Sequence, residues 1–211
     1  MMEHDEGAVH GLPGRLPPGE RILWQGAPDW RVLARTAFHT RLIAGYFGVL
    51  AAVALAVAGG EDGYSGVAMT LGLGIAAVAL LHLLAWGSAR TTVYTLTNRR
   101  IVLRVGMAVP KCINLPLTQI AAVDLAARAD GTGDLPLQLL GVPRLGYLAL
   151  WPHARAWRVS RPEPMLRAVA NAADVAALVA RTCLAANPDG RIAPIEATPE
   201  PVHGLVGARA A

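Results

Sequence analysis

Lysine is all but missing from this chain of 211 residues: Lys111 is the only one, so the formal charge of +4 is carried almost entirely by arginine. Charge of either sign is scarce, at 16% of residues against 54% hydrophobic, where a soluble domain carries about 25% charged. A plain soluble domain therefore fits poorly, and membrane segments are the first thing to seek. The basic residues form no RRM, KH, zinc-finger or helix-turn-helix signature, so nucleic acid is not an expected partner. Cysteine is nearly absent too. Cys112 and Cys183 have neither zinc-ligand nor disulfide spacing and are expected as reduced, small buried hydrophobes. Aromatics make up only 5% of the chain, and that scarcity makes the "LWPHARAW" of residues 150–157 conspicuous.

What the chain has in quantity is long apolar runs. Nineteen uncharged residues separate Arg41 from Glu61, and twenty-seven more run from Gly63 to Ala89. A bilayer core needs about 20 apolar residues as helix, so each run can span. Neither resembles a cleaved signal peptide. Arg31, Arg35 and Arg41 precede the first run; Arg90, Arg99, Arg100 and Arg104 follow the second; Glu61 and Asp62 lie between. Arginine-rich flanks stay cytoplasmic, so the expectation is a multi-pass protein of the bacterial inner membrane, cytoplasmic or intracytoplasmic, with both termini in the cytoplasm. Ala44, Gly48, Ala52 and Ala56 recur at every fourth position of the first run, a small-residue ridge that lets another helix approach closely. The second run, with Gly72 and Ala76 at the same spacing, is the expected neighbour.

The expected organisation is a flexible tail at 1–14, a strand and an interfacial amphipathic helix at 15–40, and a transmembrane helix at 41–60. A periplasmic turn at 61–65, a second transmembrane helix at 66–89, a cytoplasmic domain at 90–187 and a second tail at 188–211 follow. Asp29 is placed to cap the amphipathic helix, with Trp30, Leu33, Ala37 and Phe38 on one side and Arg31 and Arg35 on the other. Trp30 and Trp86 are expected to face lipid at the interface. After the second run the periodicity changes. "TTVYTLTNRRIVLRVG" reads as a β-hairpin, "KCINLPL", "IAAVDLAAR", "LPLQLLG", "RLGYLALW" and "EPMLRAV" as further short strands, and "NAADVAALVARTCLAAN" as a helix capped by Asn171. About seven antiparallel strands closed by one C-terminal helix suggest a pleckstrin-homology-like (PH-like) barrel. The fold class is thus a membrane-anchored α+β protein, a two-helix transmembrane hairpin followed by that barrel.

In that order around the hairpin, "LPPGERILWQGAPDW", "YTLTNRRIV", "INLPLTQIA", "DGTGD", "LWPHARAW" and "RPEPMLRAV" resemble the PuhB family of photosynthetic-complex assembly proteins of purple bacteria, over roughly residues 12 to 186. The first two elements are shared with bacterial PH-like membrane proteins at large; the last three are the more specific. The resemblance implies a non-enzymatic assembly factor for the photosynthetic reaction centre and its LH1 antenna, with their subunits and membrane lipids as partners. A homodimer is left open. Other members of the family have been drawn with three spans; here 135–151 is broken by Pro136, Pro143 and Arg144, and two are expected.

Four sets of residues are candidate sites. His82, inside the second run, could ligate a bacteriochlorophyll magnesium in a photosynthetic setting, the only cofactor contact in view, and a transient one. It also lies near enough to the cytoplasmic end, beside Trp86, to reach headgroups. Arg99 and Arg100 in the first hairpin turn are candidates to face lipid, the basis of an alternative function as a membrane-anchored PH-like module that binds anionic headgroups. "DGTGD" is expected to be a turn, since it is too short for an EF-hand and lacks a P-loop lysine. If "LWPHARAW" is extended, Trp151, His153, Arg155 and Trp157 share a face suited to a protein partner. Capping of the barrel's open end by the tryptophans is the competing expectation. No catalytic grouping or metal-ligand spacing is visible, and neither an enzyme nor a resident cofactor or metal is expected.

Overall fold

The alternation in "YTLTNRRIV" becomes the centre of a sheet. The computed structural model describes residue 14 and residues 16–57, 61–107, 110–140, 146–155 and 162–187; Trp157 and nearly all of both expected tails lie outside these. Strands β1 (Ile22–Gly26), β2 (Val93–Thr97), β3 (Arg100–Val105) and β4 (Lys111–Pro116) form one antiparallel sheet in sequence order. β1 precedes the helices and β2 follows them, yet they pair, Gln25 opposite Thr95. The chain therefore leaves the sheet edge, builds its helices, and returns beside its point of departure.

β5 (Ile120–Val123), β6 (Ala126–Ala127), β7 (Gly133–Leu139) and β8 (Met165–Val169) form the second group, with β7 paired to each of the other three. No ladder joins the two groups among the described residues, so the closed barrel expected from the sequence is not seen. The break falls where Pro116, which has no N–H to donate, passes the chain into a 3-10 turn, Leu117–Gln119, before β5. The two sheets share one core. Tyr94, Leu96, Ile101 and Leu103 meet Val123, Leu135, Leu137 and Leu166 there, and helix α5 (Ala172–Ala186) closes it with Val175, Val179 and Cys183. Each such aliphatic side chain contributes about 1.5–3 kcal/mol by leaving water. Two apolar helices with antiparallel sheets and a C-terminal helix make this a PH-like α+β fold.

Helix α1 (Trp30–Thr36) begins where Asp29 Oδ1 accepts from the Arg31 and Val32 N–H groups, at 2.7 and 3.4 Å. Its apolar side does not lie on lipid as expected. Val32, Leu33, Ala34 and Phe38 are buried in one cluster with Ala85 and Ala89 of the second long helix, and Trp30 packs on its edge. The Asp29 N–H also donates to the carbonyl of Ala168 (2.9 Å), which pins the start of α1 to β8.

Helices α2 (Thr40–Val57) and α3 (Glu61–Thr91) match the two apolar runs. Glu61 already lies in α3, so the turn expected at 61–65 belongs to the helix. Both helices are long and apolar enough to cross a membrane, by length and composition, and only 11% and 6% of their apolar windows are buried in the protein. They pack through Phe47 on Gly74, where an added Cβ would come within 2.7 Å of Phe47 Cβ, and through the buried Ala51. Ala44, Gly48, Ala52 and Ala56 are exposed instead, as are Gly72 and Ala76. The small-residue ridge is on the helix as expected, but α3 docks beside it.

Three local expectations also change. "RLGYLALW" does not form a strand: Tyr147–Leu150 is a single helical turn, α4, which tucks Leu150 into the interior ahead of Pro152. Asn171 stands at the N-cap of α5, but in the left-handed region at φ 49° and with no capping hydrogen bond from its side chain. Asparagine is one of the few residues that tolerate that conformation. Cys183 is buried, whereas Cys112, on β4, is exposed.

Candidate functional site at the root of the helices

Only Thr92 separates the end of α3 from β2, so the helix feeds directly into the sheet. Against this junction lies the segment 150–155. It is a turn, not an edge strand: the His153 N–H donates to the Leu150 carbonyl at 2.6 Å, and only Ala154 makes a β-bridge, with Pro164. The shared face expected for Trp151, His153 and Arg155 therefore does not exist. Pro152 offers no donor to a ladder, and the turn sends neighbouring side chains to different places.

His153 points inward and is fully buried. Its Nδ1 lies 2.7 Å from the Tyr94 hydroxyl and its Nε2 3.1 Å from Thr92 Oγ1. Tyr94 Oη also accepts the Arg167 N–H at 3.1 Å. With its oxygen used as acceptor there, the tyrosine donates to Nδ1, and Nε2–H then donates to Thr92. Burial, helped by the charge of Arg167, pushes His153 down to about 3, so it is neutral. Both ring nitrogens are occupied, leaving no lone pair for a metal. Arg167 closes the network through Nη2 to the Ala154 carbonyl at 3.2 Å. His153 thus ties the helix root, β2 and β8 together.

Trp151 goes the other way. It is 47% exposed, and its ring stands edge-on to Phe38 at 5.3 Å between centroids, just before α2 begins. The residue so sits between the starting end of one apolar helix and the finishing end of the other. Arg155 is held by the domain: its Nη1 donates to Asp124 at 3.1 Å and to Glu163 at 3.0 Å.

The arginines of the first hairpin turn fare differently from expectation. Arg100 grips Glu20 with two hydrogen bonds, Nε to Oε1 at 2.8 Å and Nη2 to Oε2 at 3.1 Å, while Thr97 donates to the same carboxylate at 2.8 Å. Burial works to raise the Glu20 pKa, but these bonds and the charges of Arg100 and Arg99 outweigh it and hold the carboxyl below its usual range. Arg99 is exposed. The turn lies at the end of β2 opposite α3, about five residues or ~17 Å away at strand rise.

Inside the long helices, His82 Nδ1 lies 2.8 Å from the Val78 carbonyl and its ring meets Trp30 edge-on at 6.5 Å. Nδ1–H donates to that carbonyl. Trp30 is drawn into this contact, whereas Trp86 is 44% exposed. Between α2 and α3 runs an apolar groove of about 410 Å³ lined by Ala44, Phe47, Gly48, Leu71, Gly74 and Ile75 among others. "DGTGD" is a turn: Thr132 donates from N and Oγ1 to Asp130, Gly131 has φ 78°, and Asp134 pairs with Arg128. Among the described residues no group of three or more His, Cys, Asp or Glu could hold a metal ion.

The Arg100–Glu20 pair and the Thr92–His153–Tyr94–Arg167 network were missed by sequence reasoning. Their members lie 59 to 80 residues apart, and only the buried threonines of the β2 alternation hinted that polar partners were needed.

Residues 40–182 match the family described as Bacterial PH domain. The chain is also 39% identical, over 181 residues, to an uncharacterized 23.7 kDa protein in the puhA 5' region of Rhodobacter capsulatus, a match that covers 83% of this chain and 85% of that relative. No solved structure matches the chain.

Proposed function

The chain belongs to the bacterial PH domain family, and from that premise we propose that it is a non-enzymatic assembly factor for the photosynthetic reaction centre and its LH1 antenna. It is anchored in the bacterial inner membrane by α2 and α3, with both termini cytoplasmic. The observation that carries this reading is the exposed Trp151 at the point where both apolar helices enter the folded domain. A partner subunit that crosses the membrane and emerges at its cytoplasmic face would meet the helices and Trp151 together. The relative's place in the puhA 5' region and the resemblance of "LWPHARAW" and "RPEPMLRAV" to the PuhB family supply the photosynthetic setting. Tryptophan suits the role, because truncating an interface tryptophan often costs ~2 kcal/mol or more of binding, tenfold or greater in affinity.

The exposed small-residue ridge, Ala44, Gly48, Ala52 and Ala56, is the second contact surface in this reading, facing subunit helices in the bilayer. Headgroup binding through Arg99 and Arg100 has lost its geometric support, since Arg100 is committed to Glu20.

Replacing Trp151 by alanine should lower reaction-centre and LH1 accumulation, read by near-infrared absorbance, while immunoblots find the variant at wild-type level in the membrane. Affinity capture of the full-length protein from photosynthetically growing cells should bring down reaction-centre or LH1 subunits, and the Trp151→Ala variant fewer of them. A stable variant with undiminished complexes and unchanged capture would remove Trp151 from the interface and this reading with it.

A further inference from the structure

Where α3 ends, its last turn and residues Gly106, Met107 and Pro110 line a cleft of about 220 Å³ together with Val93 and Arg104, the helix contributing Arg90 and Thr91. Arg104 stands opposite Val93 in the β2–β3 ladder. Its neighbours Leu103 and Val105 point into the core, so alternation turns Arg104 to the sheet's other face. Among the described residues neither Arg90 nor Arg104 is paired with a carboxylate, whereas Arg100 and Arg128 each hold one and Arg155 holds two. The cleft lining, among the described residues, contains no acidic side chain. The result is a concave site with unneutralised positive charge.

Its position says what could neutralise it. The Arg90 guanidinium lies over the Trp86 ring, 5.2 Å from its centroid, one helical turn back along α3. Exposed tryptophan followed by arginine is the side-chain order found where a spanning helix passes from hydrocarbon to headgroups. The lip of the cleft is apolar: Met107 is 43% exposed and its sulfur abuts Gly87, where an added Cβ would sit 2.9 Å from it. The carbonyl end of a helix repels anions; here Thr91 Oγ1 donates to the Gly87 and Ser88 carbonyls at 3.1 and 3.2 Å and blunts that field.

We infer that this cleft binds the phosphate of an anionic glycerophospholipid, held between Arg90 and Arg104 with its acyl chains running back along Met107 and Trp86. The inference rests on the membrane anchoring proposed above and adds a lipid partner at residues distinct from the first hairpin turn.

The test uses full-length protein extracted in mild detergent and titrated, under native mass spectrometry, with phosphatidylglycerol, phosphatidylcholine or inorganic phosphate. Wild type should retain phosphatidylglycerol in preference to phosphatidylcholine. Arg90→Gln together with Arg104→Gln should weaken that retention about tenfold or more, since two charge-assisted contacts are lost, and Arg99→Gln should leave it unchanged. Arg90 is exposed, so Arg90→Gln alone provides a variant whose folding is not in question and should show a part of the loss. Equal retention of both lipids, or undiminished retention by the double variant, overturns the site. Displacement of phosphatidylglycerol by millimolar inorganic phosphate overturns the lipid as its ligand in favour of a free anion. Release of the wild-type protein from membranes by carbonate washing would instead overturn the anchoring itself, an outcome separate from the lipid readouts.

Discussion

His153 shows how one side chain can be chemically capable and yet wholly engaged in structure. Its folded-state pKa of about 3, against 6.5 when solvated, ties protonation to unfolding rather than to a step in a reaction. Above pH 6.5 neither the folded nor the unfolded chain carries the proton. As pH falls from 6.5 toward 3, the unfolded chain takes up a proton that the folded one refuses, so the stability this residue contributes is complete above the window and lost through it. Each pH unit there costs about 1.4 kcal/mol, or roughly 2 kcal/mol between pH 6.5 and 5. Thermal melts in detergent should therefore fall from pH 7.5 to 5, and His153→Gln should flatten the slope while lowering the plateau by ~1–3 kcal/mol for the broken Tyr94 and Thr92 contacts. Parallel slopes for the two proteins would assign the pH dependence elsewhere. Glu20 gives a second residue-scale expectation. Arg100→Met leaves a carboxylate that is 2% exposed without its partner, at a cost of ~3 kcal/mol or more, whereas Arg99→Met should stay within about 0.5 kcal/mol. Equal melting temperatures for the two variants would contradict the burial of that pair.

At the scale of elements, the packing of α2 on α3 depends on which small residue is covered. Gly74 sits under Phe47, while a methyl added at Gly48 or Gly72 would have nothing within 4 Å. Gly74→Leu should force the helices apart and destabilise the isolated protein by ~1–3 kcal/mol. Gly48→Leu should leave its melting temperature unchanged and yet reduce complex accumulation, because it blocks the groove where another helix would approach. Melting temperatures in detergent and near-infrared absorbance separate the two effects; a Gly48→Leu protein that melts early would return the ridge to the intramolecular contact. The periodicity of four was legible in the sequence, since it needs only the helical repeat. Which stripe faces the neighbour depends on the crossing of the two helices, and a ridge of alanine and glycine says nothing about whether Phe47 will claim the contact first. Helix α1 makes a related point. Asp29 predicts its start correctly, while the helix ends at Thr36, before the Ala37 and Phe38 that the apolar spacing put on it; lipid and α3 are equally good apolar surfaces, and only packing against Ala85 and Ala89 decides between them.

For the whole molecule, a single residue, Thr92, joins α3 to β2, and its hydroxyl is hydrogen-bonded to His153. A periplasm-specific reporter fused after Ala186 should be silent, and activity there would overturn the cytoplasmic placement of the domain. The apolar runs, the arginine flanks, the hairpin at "YTLTNRRIV" and the limits of α5 were determined by the sequence alone, because each rests on periodicity, local turn chemistry or segment length. The structure decided what depends on residues far apart in the chain: that the sheets stay as two, that Arg100 belongs to Glu20, and that residues 150–155 form a turn with His153 inside and Trp151 outside. A histidine between two tryptophans has no direction in a linear sequence. It acquires one when Thr92 and Tyr94, about sixty residues earlier, supply the buried hydrogen-bond partners that its ring needs, and the outward exposure of Trp151 follows from that inward turn.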